Sequence, residues 1–146
     1  MKKGMKYLVL LLSIALISCA KPERVVVETF ENNNPKLVEY VLEKDGKKIT
    51  VGQEQYYEEG SLKSKGDFDE LGNRDGRWEY YFNNGKLWSV GEYKNGEMHG
   101  IKEVYWPDGH LRYKGHFTNN EKSGHWVFYN PDGSVLKDME LDVKPK

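Results

Sequence analysis

The chain has little with which to staple, span or catalyse. It holds a single cysteine, Cys19, in 146 residues, so no internal disulfide is possible. No apolar run reaches the roughly 20 residues that a spanning helix needs, and beyond residue 35 no stretch has helical apolar spacing. Its 22 basic and 23 acidic residues are interspersed, leaving no basic stripe to hold nucleic acid. A Gly-x-Ser-x-Gly elbow, a Ser/His/Asp grouping and a phosphate-binding loop are all missing, and no enzyme or cofactor is expected. His99, His110, His116 and His125 lack the close spacing of metal ligands. Asp67 to Gly72 begins like a calcium loop, but Leu71 and Trp78 stand where oxygen ligands are needed, so it reads as an irregular turn. Glu79 and Glu103 are equivalent positions of a repeat, which explains them without acid–base chemistry.

What is present begins at the N-terminus. Lys2, Lys3 and Lys6 precede the apolar run Tyr7 to Leu12, Ser13 and Ile14 to Ile17, the pattern of a signal peptide over residues 1–18. Leu16-Ile17-Ser18-Cys19 resembles the lipobox of bacterial lipoproteins, which implies that Cys19 is acylated and becomes the mature N-terminus. Several acyl chains on one residue give stable anchoring without a span. Without its leader the chain keeps 19 basic and 23 acidic side chains, a net charge near −4. Residues 19–35, with Pro22 and Asn32-Asn33-Asn34-Pro35, read as the lipidated cysteine and a tether interrupted by Val25-Val26-Val27. Ala20 after the cysteine favours the outer membrane where a cell has two.

Self-similarity dominates the rest, with a period of 24. Gly52, Gly76, Gly100 and Gly124 keep it, as do Tyr57, Tyr81, Tyr105 and Tyr129. Gly60, Gly85, Gly109 and Gly133 are each followed two residues later by Leu62, Leu87, Leu111 or Val135. Gly66, Gly91 and Gly115 precede Phe68, Tyr93 and Phe117 in the same way. Each unit reads as a hairpin: Trp78 to Phe82, the turn Asn83-Asn84-Gly85, then Leu87 to Lys94. Pro107-Asp108-Gly109 and Pro131-Asp132-Gly133 carry the strongest turn chemistry, joining a fixed φ to a residue that tolerates positive φ. Lys94-Asn95-Gly96 and Thr118-Asn119-Asn120 are the return turns. The predicted fold is all-β, an antiparallel meander of hairpins over residues 52–143, with one further hairpin at 36–51 around Asp45-Gly46 and a frayed tail at 144–146.

Units of the form Gly-x-Trp-x-x-Tyr-x-x-x-Gly-x-Leu-x-x-x-Gly-x-(Tyr/Phe) resemble the MORN repeat family in its second, bacterial variant. The second unit, Gly76-Arg77-Trp78 through Gly91-Glu92-Tyr93, matches best. Lys102 and Glu54 stand in the Trp slots of the third and first units; an extra residue lies between Gly66 and Gly76, and one fewer between Tyr57 and Gly60. The resemblance implies an elongated single sheet of hairpins used for binding and scaffolding, and an antitoxin-like immunity protein is the alternative it suggests.

Which face is buried depends on the turns. In a three-residue Pro-Asp-Gly loop, Tyr105 faces the side of Leu111, Tyr113 and Gly115; in a two-residue loop, Trp106 pairs with Leu111. The uninterrupted row Tyr81, Tyr105 and Tyr129, with Leu87, Leu111 and Val135, is taken as core. The Trp row, broken by Lys102 and Glu54, is taken as the contact surface, with Trp78, Trp106 and Trp126 as candidate binding residues. The function expected is a membrane-anchored, non-catalytic binding or scaffold module of the cell envelope that engages a protein or glycan.

Overall fold

The computed structural model describes residues 21–142. The leader, Cys19 and the tail at 144–146 lie outside them. Ten strands form one sheet in strict sequence order: β1 (Glu23–Thr29), β2 (Pro35–Lys44), β3 (Lys47–Tyr56), β4 (Leu62–Phe68), β5 (Arg74–Tyr81), β6 (Leu87–Lys94), β7 (Glu97–Tyr105), β8 (Leu111–Thr118), β9 (Glu121–Tyr129) and β10 (Val135–Leu141). Neighbours pair antiparallel throughout, as expected for a meander. Among the described residues no helix is long and apolar enough to cross a membrane.

Two turn chemistries alternate along most of the array. Asp45-Gly46, Asn95-Gly96 and Asn119-Asn120 are two-residue turns with both residues at positive φ, the twist-matched form that Asn, Asp and Gly tolerate. The opposite end uses three-residue loops. At Pro107-Asp108-Gly109 the Trp106 N–H donates to the His110 carbonyl, and the Gly109 N–H donates to the Trp106 carbonyl. Phe82 to Lys86 and Asn130 to Ser134 repeat this arrangement. The extra residue after Gly66 is absorbed between β4 and β5, where a three-residue loop replaces the two-residue one. There Asp69 accepts the N–H groups of Leu71 and Asn73, which accounts for its carboxylate.

Two segments differ from expectation. The stretch 19–35 is not all tether, because Glu23–Thr29 pairs with β2 as an edge strand in which only Val25 of the three valines is half-buried. Nor does the N-terminal hairpin end at residue 51. Its second strand runs on to Tyr56 and is also the first strand of the first repeat.

Within the one sheet described, the core is divided between its two faces, with Trp78, Val104 and Trp126 on one and Val38 and Val90 on the other. Fully buried apolar residues among those described are Val38, Trp78, Val90, Val104 and Trp126. A row across β5 to β9 reads Tyr80, Ser89, Val104, Tyr113 and Phe128, and beside it on the same face run Trp78, Gly91, Lys102 and Gly115. The opposite face carries Glu54, Lys65, Glu79, Val90, Glu103, Lys114 and Val127.

Candidate functional site

The tryptophan row is the core, contrary to its assignment as a contact surface. Trp78 is 0% exposed and Trp126 1%, whereas Val135 of the row taken as core is 60% exposed. The cause is a bulge. The Pro-Asp-Gly loop is the three-residue form and Tyr105 does stand opposite Leu111, but Arg112 is then unpaired and Val104 meets Tyr113. One inserted residue moves Tyr113 and Gly115 to the other face, since side chains alternate along a strand. Trp88 sits at the same place in the preceding unit.

Each buried indole lies back over the glycine of the strand before it. A Cβ at Gly66 would fall 2.2–2.5 Å from the Trp78 ring, and one at Gly115 equally close to Trp126. The indole N–H groups are satisfied at the same spot, Trp78 donating to the Asp67 carbonyl and Trp126 to the carbonyls of His116 and Ser123. Aromatic neighbours complete two clusters. Trp78 packs edge-on to Phe68 (5.3 Å) and Tyr93 (6.3 Å), and Trp126 packs on Phe117 (5.2 Å), Tyr113 and Phe128 (both 5.9 Å).

The gap between the clusters is the third unit, where Lys102 occupies the tryptophan slot. Its stem lies over Gly91, with Cδ 3.2 Å from where a Cβ would be, and Nζ donates to Ser89 Oγ at 2.6 Å. A stem is thinner than an indole, and a cleft of about 460 Å³ opens around it. Tyr80, Trp88, Tyr93 and Tyr113 form its walls, Val104 and Ser89 its floor, and Arg112 its rim. Trp88 is 46% exposed. Burial, reinforced by the like charge of Arg74, holds the Lys102 ammonium below the ordinary lysine range.

The charged residues lining this cleft are both cationic, and two more cations lie on the same face beside it. Arg74 lies 4.2 Å from the Trp78 ring centroid and donates to Tyr80 Oη at 2.9 Å; Lys122 lies 4.5 Å from the Trp126 ring and Arg112 4.5 Å from the Trp106 ring. None of Arg74, Lys102, Arg112 or Lys122 is in an ion pair among the described residues. Of the three expected binding residues, then, Trp78 and Trp126 are buried. Trp106 is half-buried under Arg112 with its indole N–H enclosed and unpartnered. Lys102, Trp88 and Arg112 were missed as site residues. A glycine kept at position 91 beneath a lysine was the available signal.

The opposite face is closed electrostatically. Burial pushes the Glu79 carboxyl up, but Tyr81 Oη (2.5 Å), Arg77 Nε (2.7 Å) and Lys65 Nζ (3.1 Å) outweigh it and hold the pKa at about 2. Glu103 is bonded in the same way by Lys114 Nζ and Tyr105 Oη, both at 2.8 Å. Burial and that carboxylate raise Tyr105 to about 12. In the first unit the tyrosine that bonds its glutamate is Tyr56, to Glu54, and not Tyr57. The missing residue before Gly60 shifts the unit by one, and Gln53, not Glu54, faces Gly66 in the Trp slot.

A meander of similar hairpins, in which Trp78, Lys102 and Trp126 each lie over a glycine of the strand before, defines a β-repeat array. Residues 53–70, 74–95 and 98–119 match the family described as MORN repeat variant, and these segments are MORN repeats of that variant. No curated protein matches the chain. Among solved structures, a GtfA/B complex bound to UDP and GlcNAc is similar with a TM-score of 0.42 and 15% identity over 73% of this chain. The chain spans 22% of that one.

Proposed function

We propose that the protein is a lipid-tethered, non-catalytic binding module that presents the aromatic face of its sheet to a component of the cell envelope. The observation that carries the reading is the asymmetry of the faces: aromatic rings and four cations without acid partners on one, self-satisfied ion pairs on the other. A cation left unpaired beside exposed rings is available to a partner, whereas Glu79 and Glu103, each engaged by its own cation and tyrosine, are poor acid–base catalysts. Tethering rests on the lipobox at Cys19, and the outer membrane is the preferred site where two membranes exist.

A photo-crosslinking residue placed at Trp88 in the full-length chain should capture an envelope component in cells, while one placed at Lys114 should not. Equal capture from both positions would defeat the reading, and a captured toxic effector would favour an immunity role instead. Cys19→Ser should move the protein out of the detergent phase on partitioning. Retention there would mean that the leader or the sheet binds membrane itself.

A further inference from the structure

We propose that the cleft in which Lys102 replaces the repeat's tryptophan binds a carboxylated sugar unit, its ring against the aromatic walls and its carboxylate on Lys102 and Arg112. This deepens the aromatic-face reading and rests on it. The volume, about 460 Å³, lies in the range of small-molecule sites.

Charge selects the first property of the occupant. Lys102 and Arg112 meet at the cleft without an acid, in a chain whose acidic residues outnumber its basic ones, so the missing charge is an anion from outside. Desolvation makes the Lys102 ammonium costly in the empty cleft, and a carboxylate would relieve that cost. The walls select the second property. Tyr80, Trp88 and Tyr113 offer flat apolar surfaces with hydroxyl or N–H handles, which suit a ring that has apolar C–H faces and hydroxyl edges. A bare phosphate would leave those walls uncovered.

Geometry removes the other occupants. The cleft sits mid-sheet on β5 to β8, where backbone N–H and C=O groups are consumed by neighbouring strands on both sides. A peptide therefore has no edge to extend here, unlike at β1 or β10. A second copy stacked on this face would oppose cations to cations. Lys102 also breaks the tryptophan row between Trp78 and Trp126, over a Gly91 that keeps the place of the glycines beneath those two indoles. The lysine thus gives up packing that the fold was ready to accept.

The test uses the full-length chain in detergent, with trigalacturonate as probe and titration calorimetry and the difference in tryptophan emission between wild type and Trp88→Phe as readouts. The acid form should bind, and its fully methyl-esterified form should bind at least about tenfold more weakly. Lys102→Trp should abolish binding without lowering the melting temperature. Lys102→Met is the second variant should the indole fail to seat, and it too should lose the probe. Equal affinity for acid and ester would overturn the proposal, as would no binding of the acid, undiminished binding by both variants, or equal binding of inorganic phosphate or an oligo-aspartate peptide. Should trigalacturonate fail while crosslinking from position 88 still captures an envelope component, the ligand class falls and the face reading stands. If both fail, both fall.

Discussion

On one face Glu79 is gripped by Lys65, Arg77 and Tyr81; one residue back along the same strand, Trp78 fills the other face with the Arg74 guanidinium over its ring. Both faces repeat with the hairpins, yet they are held by different forces. The carboxylate face is a ladder of half-exposed ion pairs, individually weak and sensitive to salt and acid. The tryptophan face is close packing over bare glycines, insensitive to either. A single sheet has no second layer to hide mistakes, so stability should be concentrated on the packed face. Variation is then affordable only where a packing residue is surrendered, as at Lys102.

The sharpest way to break this comparison is to truncate one residue from each face. Trp126→Ala removes a 1%-exposed ring with three aromatic neighbours and should cost about 3–5 kcal/mol. Tyr105→Ala removes a half-buried ring bonded to Glu103 and should cost about 1–2 kcal/mol. Urea denaturation that ranked them the other way would return the core to the tyrosine row.

That tyrosine row is where the sequence misled, and the reason is local. Hairpins, their period and their turns were legible because Asn-Gly, Asp-Gly and Pro-Asp-Gly fix backbone geometry within four residues. The burial of a face is not local. It depends on the bulges at Trp88 and Arg112, which no residue type announces and which swap every later side chain across the sheet. The charge at Lys102 also argued against a buried row, but the lysine is accommodated by a serine and an open cleft. The mid-strand glycines at 66, 91 and 115 held the better clue, since an interior glycine marks a site of close approach.

Acid sharpens the comparison from the other side. Glu79 is 15% exposed and its folded pKa, about 2, lies below the ordinary 4.5. A depressed carboxyl contributes stability that is fully present above the unfolded value and is lost as pH falls from about 4.5 to about 2. The loss should be on the order of 2–3 kcal/mol. Glu79→Gln should flatten that limb of a pH–stability profile. A variant with an unchanged acid limb would show that the ladder contributes nothing there.

Within the packed face, glycine substitutions compare the units. Gly115→Ala places a methyl inside the Trp126 ring and should cost about 1–3 kcal/mol, by overpacking. Gly91→Ala meets the flexible Lys102 stem at 3.2 Å and the Tyr93 ring at an ordinary 3.7 Å, and should cost less than about 1 kcal/mol. Equal costs would mean that the third unit is packed as tightly as the fourth.

The smallest expected effect isolates Lys102 itself. Burial, with Arg74 nearby, holds its folded pKa below the ordinary 10.5, so the folded state releases this proton before the unfolded state does. Between the two values the unfolded chain binds more protons, and stability rises with pH through that window. Below it both states are charged and the fold carries the full desolvation cost. The groups facing Lys102 are Arg74, Arg112, Tyr80, Tyr93 and Tyr113. Burial raises Tyr80 and Tyr113 above the ordinary tyrosine value, so the informative quantity is wild type minus Lys102→Met at each pH, not either curve alone. Lys102→Met keeps the stem over Gly91 and discards the charge, and should gain less than about 1 kcal/mol at neutral pH. The gain should shrink as pH climbs through the window, because the wild-type lysine becomes neutral there too. A variant less stable than wild type at neutral pH would mean that the bond from Nζ to Ser89 outweighs the desolvation cost. The third unit would then be held by its lysine rather than opened at its expense.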